Sequence, residues 1–114
     1  MRNETGKDLN VETLNIIKNY IPSNGIISDL CEFYDIFSDV TRVKIIVALA
    51  ISELNVNDIA NALNLNQTTA SHQLRILRDA RIVEYRRDGK NIYYKLINKY
   101  INDILLTGVI YLGF

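Results

Sequence analysis

Between Ile82 and Leu96 two runs rich in β-branched and aromatic residues flank one dipeptide, Asp88-Gly89. Ile82-Val83-Glu84-Tyr85-Arg86-Arg87 precedes it and Lys90-Asn91-Ile92-Tyr93-Tyr94-Lys95-Leu96 follows it. Asp-Gly in that setting signals a two-residue hairpin loop, in which both loop positions take positive φ. Through most of the remaining chain the apolar residues recur at three and four, the spacing of helices. One hairpin late in a helical chain restricts the fold to mainly α architectures that carry a β-hairpin.

The helices follow in order. Val11, Leu14, Ile17 and Ile21 predict a first helix over 9–21, capped by Asp8, with residues 1–8 frayed. Pro22-Ser23-Asn24-Gly25 ends it. Ile26, Leu30, Phe33, Tyr34 and Phe37 predict a second helix over 26–37. Ser38-Asp39 offers a cap for a third, over 40–51, with Val43, Ile46, Val47 and Ala50 as its inner face. Residues 53–56 are extended, enough for one short strand. Asn57 then caps a short helix over 58–63 that packs through Ile59, Ala60 and Leu63. After the turn Asn64-Leu65-Asn66, Asn66 caps a helix over 67–80 whose buried row is Ala70, Leu74 and Leu77.

On that helix Thr68, Ser71, His72 and Arg75 are spaced i, i+3, i+4 and i+7, and form a polar row on another face. A short helix, a three-residue turn and a second helix with a polar outer face make a helix-turn-helix. With the hairpin behind it, the expected fold is a winged helix-turn-helix, with the wing at 82–96. A last helix over 98–112 completes a single expected domain over 1–114. Its subdivisions are an extra helix and turn at 9–25, the helix-turn-helix at 58–80, and a dimerisation helix at 98–112.

Charge is unevenly placed. The formal net charge is zero, which does not point to nucleic acid. Residues 66–95 nevertheless hold seven bases (Arg75, Arg78, Arg81, Arg86, Arg87, Lys90 and Lys95) against Asp79, Glu84 and Asp88, a net +4. The rest of the chain is −4. Phosphate binding depends on local charge on one face, although a solvated helix and hairpin would carry the same residues.

A chain of 114 residues has little core to spare, so subunit pairing is a natural supplement. No apolar run is long enough to span a bilayer. The first eight residues lack the apolar stretch of a signal peptide, and the single cysteine, Cys31, forms no internal disulfide. A cytoplasmic location is expected.

Few residues suggest catalysis. His72 is the one histidine, and Ser71 beside it is no nucleophile–base partner, because nothing orients the imidazole. With no carboxylate pair or phosphate loop, neither an enzyme nor a cofactor is expected. Cys31 lies among Leu30, Glu32 and Phe33, with acids at Asp29 and Asp35 and no nearby base to favour a thiolate. It reads as packing. A redox role for Cys31 would need a second copy of the same cysteine or an external thiol.

Three stretches together resemble the ArsR–SmtB family of repressors. They are Ser52-Glu53-Leu54-Asn55-Val56-Asn57-Asp58-Ile59-Ala60, Ala70-Ser71-His72-Gln73-Leu74-Arg75-Ile76-Leu77-Arg78 and Asp88-Gly89-Lys90-Asn91-Ile92-Tyr93-Tyr94-Lys95-Leu96. Phe37-Ser38-Asp39-Val40-Thr41-Arg42 is similar to the family's Asp-Pro-Thr-Arg helix start, with Val40 in place of Pro. The likeness runs from Leu30 to the end. It implies a homodimeric transcriptional repressor that binds a double-stranded DNA operator and releases it to an inducer, here of unknown identity.

The resemblance also assigns roles. Gln67, Thr68, Thr69, Ser71 and His72 would lie in the major groove, Arg75 would meet a phosphate, and Arg86, Arg87 and Lys90 would carry the wing onto the DNA. The side chains suit this: Gln pairs with adenine bidentately, hydroxyls read either kind of edge, and the Thr methyl touches a thymine methyl. One family metal site uses a Cys-X-Cys pair, at the positions of Asn55 and Asn57 here. The other uses Asp, His, His and Glu, at the positions of Asn98, Tyr100, Tyr111 and Phe114. None of the residues present is a thiolate or a normal Zn²⁺ ligand, so no metal is expected.

The last helix carries Ile97, Ile101, Ile104, Leu105, Val109 and Leu112 with Tyr100, Tyr111 and Phe114, more than one face needs. Pairing across a two-fold axis would cover them and set two recognition helices roughly 34 Å apart. The residues leave one alternative open, a winged-helix protein-interaction module that binds another regulator and no DNA.

Overall fold

The computed structural model describes residues 10–114. The expected fraying of 1–8 and the expected cap at Asp8 lie outside the described residues. The chain divides into two compact units, one ending at Glu32 and the other running Phe33–Phe114.

The first unit holds α1 (Val11–Tyr20) and most of α2 (Asn24–Asp35). Asn10 caps α1, its Oδ1 accepting from the Thr13 N–H at 2.7 Å, so the helix begins two residues later than its apolar spacing suggests. Ile21 is extended, the conformation that a following proline favours. Ser23 Oγ accepts from Ile26 N–H, which lets α2 start at Asn24 instead of 26. Thr13 and Leu14 are half-buried in this unit, whereas Ile16, Ile17, Tyr20, Ile26, Ile27 and Leu30 are exposed.

In the second unit the helix tightens into a 3₁₀ turn, Ile36–Ser38, and α3 follows (Val40–Ile51). Asp39 caps α3 through Oδ2 and the Arg42 N–H at 2.9 Å, and both ends fall where the sequence puts them. Next come β1 (Leu54–Asn55), α4 (Val56–Leu63), α5 (Gln67–Asp79), β2 (Val83–Asp88), β3 (Asn91–Leu96) and α6 (Tyr100–Leu112). The sheet is antiparallel in the order β1–β3–β2. This is a winged helix-turn-helix, mainly helical with a small β wing.

Two local details of the helix-turn-helix differ from expectation or refine it. Asn55, not Asn57, caps α4, accepting from Asp58 N–H at 2.8 Å, so the helix starts at Val56. It ends at Asn64 in the left-handed region (φ 55°), with Leu65 N–H donating to Ala60 O, a closure that Asn tolerates. Asn66 caps α5 as expected, accepting from Thr69 N–H at 2.7 Å.

The core joins Ile45, Ile46 and Leu49 of α3, Ile59 and Ala60 of α4, Ala70, Leu74 and Leu77 of α5, then Ile82, Val83 and Ile101. The α5 row is the expected one. The α3 face is not: Val47 and Ala50 are exposed and Val43 is half-buried. The rotation adopted buries Ile45 and Leu49, which removes more apolar area from water than burying Ala50 would.

The hairpin register also moves. Asp88 pairs with Asn91, so the loop is Gly89-Lys90, one residue later than Asp88-Gly89. Gly89 takes φ +62° and Lys90 does not take a positive φ, which is the pattern of a type II′ turn. Among the described residues no helix is long and apolar enough to cross a membrane.

Between α5 and β2, Arg81 adopts φ 59°. Its N–H donates to Arg78 O while Ile82 N–H donates to Leu77 O, an arrangement in which glycine is usual. The left-handed region costs an L-residue about 1–2 kcal/mol, partly offset by the greater freedom glycine has when unfolded. Arg81→Gly will therefore raise the unfolding free energy by roughly 0.5–1 kcal/mol. A urea midpoint that falls instead would show that the Arg81 side chain contributes more than its backbone costs.

Candidate nucleic-acid interface

Helix α5 has two sharply different sides. Ala70, Leu74 and Leu77 are fully buried on one. On the other, Gln67, Thr68, Ser71, His72 and Arg75 are exposed and line one open, polar depression. Helical periodicity accounts for the grouping, since i, i+3, i+4 and i+7 share a face. Thr69 stands apart: it is half-buried, does not line the depression, and gives its N–H to Asn66.

Gln67 is held from outside its own helix. Its Nε2 donates to Oδ1 of Asn57, in the first turn of α4, at 2.8 Å. The two helices of the motif are thus linked near their N-termini by a pair of amides. Beside the pair lies a second cleft lined by Asn55, Val56, Asn57, Gln67, Lys90, Asn91 and Ile92, which brings the wing loop close to the start of α5.

The structure separates the three wing bases. Arg86 is ion-paired with Glu53 through Nε, lies 3.8 Å from the Asp88 carboxylate, and stacks its guanidinium 4.8 Å from the Tyr93 ring centroid. Two carboxylates and a ring face therefore occupy it. Arg87 and Lys90 are exposed and, among the described residues, take part in no ion pair. Elsewhere on the sheet Lys95 pairs with Glu84 at 3.4 Å across the ladder. Arg78 at the end of α5 sits 5.5 Å from the Tyr85 ring centroid, joining helix to wing.

Sequence reasoning named the exposed row and the wing bases but missed Glu53 and Asn57. The Glu53–Arg86 and Asn57–Gln67 pairs have no helical or hairpin spacing to advertise them. The one signal was that two asparagines, 55 and 57, both sat where a single cap was needed.

At the positions where the resemblance places metal ligands, Asn55 caps α4 and Asn57 holds Gln67. Asn98 Oδ1 accepts from Tyr100 N–H at 3.0 Å, and Tyr100, Tyr111 and Phe114 are exposed. Cys31 is also exposed, not packed. Among the described residues no group of three or more His, Cys, Asp or Glu is disposed to hold a metal ion.

Residues 39–85 match the family model for bacterial regulatory proteins of the arsR family. Over 75 residues the chain is 41% identical to a transcriptional repressor SmtB homolog of Synechocystis, an alignment that covers 66% of this chain and 57% of that protein. Over 66 residues it is 36% identical to the transcriptional repressor SdpR of Bacillus subtilis, covering 58% of this chain and 73% of SdpR. The chain thus spans little more than half of the SmtB homolog's length and almost three quarters of SdpR. Among solved structures it is similar to the homodimeric winged helix-turn-helix DNA-binding domain of Mb0332 from Mycobacterium bovis. That match has a TM-score of 0.70 and 27% identity, and covers 80% of this chain and 88% of the other. The chain belongs to the ArsR family of bacterial regulatory proteins.

Proposed function

We propose that the chain is a sequence-specific, DNA-binding transcriptional repressor that works as a homodimer and catalyses no reaction. One observation carries this reading: five polar side chains of α5 share one exposed side of a helix whose other side is a fully buried row. That is the form of a helix that lies in a major groove while its back is held by the domain.

In this reading Gln67, Thr68, Ser71 and His72 meet base edges, with Thr69 at their border. Arg75 and the exposed Arg87 and Lys90 meet phosphates, and Arg86 holds the wing in position. Pairing is supported by the end of the chain, where Leu106, Val109, Ile110, Tyr111 and Leu112 of α6 and Phe114 beyond it are exposed, a large apolar area that water disfavours. The exposed Ile16, Ile17 and Tyr20 of α1 offer a second such surface. The homodimeric state of the Mb0332 domain agrees. Such a regulator would act in the cytoplasm.

Metal sensing is no part of this proposal. Amide oxygens and phenols are weak ligands for Zn²⁺, and arsenite and soft metals require thiolates. Asn55 and Asn57 already serve the helices.

Footprinting the promoter of the chain's own operon tests the proposal. Two protected half-sites centred about one helical turn, or a whole multiple of it, apart are expected. One equivalent of Zn²⁺, Cd²⁺ or arsenite should leave the footprint unchanged. No retardation of that DNA would favour the protein-interaction module instead. Metal-driven release would overturn the metal statement, and release that vanishes in Cys31→Ser would locate a thiol site.

A further inference from the structure

We propose that Asn57 is a specificity-determining positioning residue, which restricts Gln67 to adenine by occupying one of its two amide hydrogens. The proposal rests on the assignment of Gln67 as a base reader.

A free glutamine amide has two N–H donors and one carbonyl acceptor. Guanine offers two acceptors in the major groove, N7 and O6, whereas adenine offers the N7 acceptor and the N6 amino donor. An unheld glutamine can suit either base, by turning both N–H groups, or one N–H and the carbonyl, toward the groove. Gln67 is not unheld. One Nε2 hydrogen points to Asn57 Oδ1 at 2.8 Å. In the proposal the bond takes the hydrogen anti to the carbonyl, so the other N–H and the C=O beside it remain, the complement of adenine. Against guanine the Gln67 carbonyl would oppose O6, acceptor to acceptor.

Two further observations isolate this role. Asn57 is not needed to cap α4, because Asn55 performs that task through the Asp58 N–H. Asn57 lies outside the polar depression of α5, and its side-chain bond to Gln67 is the route by which the proposal has it act on base choice. The bond also orders a long side chain before DNA arrives, which reduces the entropy lost on binding.

The test uses the full chain and its footprinted operator. The base pair read by Gln67 is the one at which Gln67→Ala abolishes preference. Affinities are then measured with A·T and with G·C at that pair, and on random DNA, for the wild type, Asn57→Ala and Asn57→Asp. The wild type should prefer A·T by about 10- to 100-fold, the range of a good bidentate contact. Asn57→Ala should lower that preference at least about fivefold, with thermal melting and random-DNA affinity unchanged. Asn57→Asp keeps the acceptor oxygen but adds a negative charge, so it should weaken binding to all DNA while preserving the preference.

An intact preference in Asn57→Ala would overturn the proposal. So would its loss in Asn57→Asp, since the acceptor would then not be what holds Gln67. If Gln67→Ala changes preference at no base pair, the assignment of Gln67 itself fails, and the role of Asn57 fails with it.

Discussion

Operator binding will weaken about a thousandfold between roughly 50 and 200 mM salt. Each phosphate neutralised by a protein cation releases condensed counterions, and log K falls with log salt at a slope of about −0.9 per contact. In the proposed complex Arg75, Arg87 and Lys90 give three contacts per subunit, hence six for a dimer and a slope of about −5. Arg87→Ala will reduce the slope by about two, because two subunits each lose one contact. Arg86→Ala will change it much less. Although Arg86 carries the same formal charge, it faces Glu53, Asp88 and the Tyr93 ring. Affinity titrations at four or five salt concentrations decide the matter. Equal slope changes for the two variants would mean that Arg86 leaves its carboxylates for the DNA.

Leu74→Ala will destabilise the fold by about 2–5 kcal/mol, through lost transfer energy and the cavity left behind. Leu74 is 0% exposed at the middle of the α5 inner row, surrounded by the core drawn from α3, α4 and β2. Total stabilities of about 5–15 kcal/mol make this a large fraction. Specific and random DNA affinity should respond alike, unlike the selective effects at Gln67. Ser71→Ala, at an exposed position of the same helix, should stay within about 0.5 kcal/mol of wild type. Urea midpoints measured at one protein concentration test both, since a dimer's stability depends on concentration. A change below 1 kcal/mol for Leu74→Ala would mean that α5 is not held by this row.

What could be read from the sequence followed its local chemistry. Asp39 before α3 and Asn66 before α5 sit directly ahead of helical runs, and both caps form. The α5 row was legible because its apolar and polar residues alternate in blocks, so only one rotation buries the former. Helix α3 gave no such guide: Val, Ile, Ala and Leu surround nearly all of it, and the face that packs is decided by neighbours distant in sequence.

The same holds for the caps of α4, where Asn55 and Asn57 are chemically equal. What separates them is that Asn55 pairs with Tyr93 in the sheet, which leaves it extended at the mouth of the helix. The loop residue pair moved for a related reason. Pairings such as Val83↔Leu96 and Tyr85↔Tyr94 fix the ladder over its whole length, and the tip takes whatever the register leaves. The division of labour among Arg86, Arg87 and Lys90 depends on Glu53, more than thirty residues upstream, and no short-range pattern carries it.

The position of β3 between β1 and β2 sets the mechanics of each subunit. The wing is not a free arm, because its inner strand is stitched through Leu54↔Tyr94 and Asn55↔Tyr93 to the residues that start α4. In the proposed complex α5 and the wing would therefore meet the DNA as one stamp, with a set pitch between groove and flanking backbone. A half-site of altered length has no element of the stamp that can stretch to meet it. In that complex any tolerance to operator spacing would come from outside the stamp, from the joint between two subunits or from bending of the DNA.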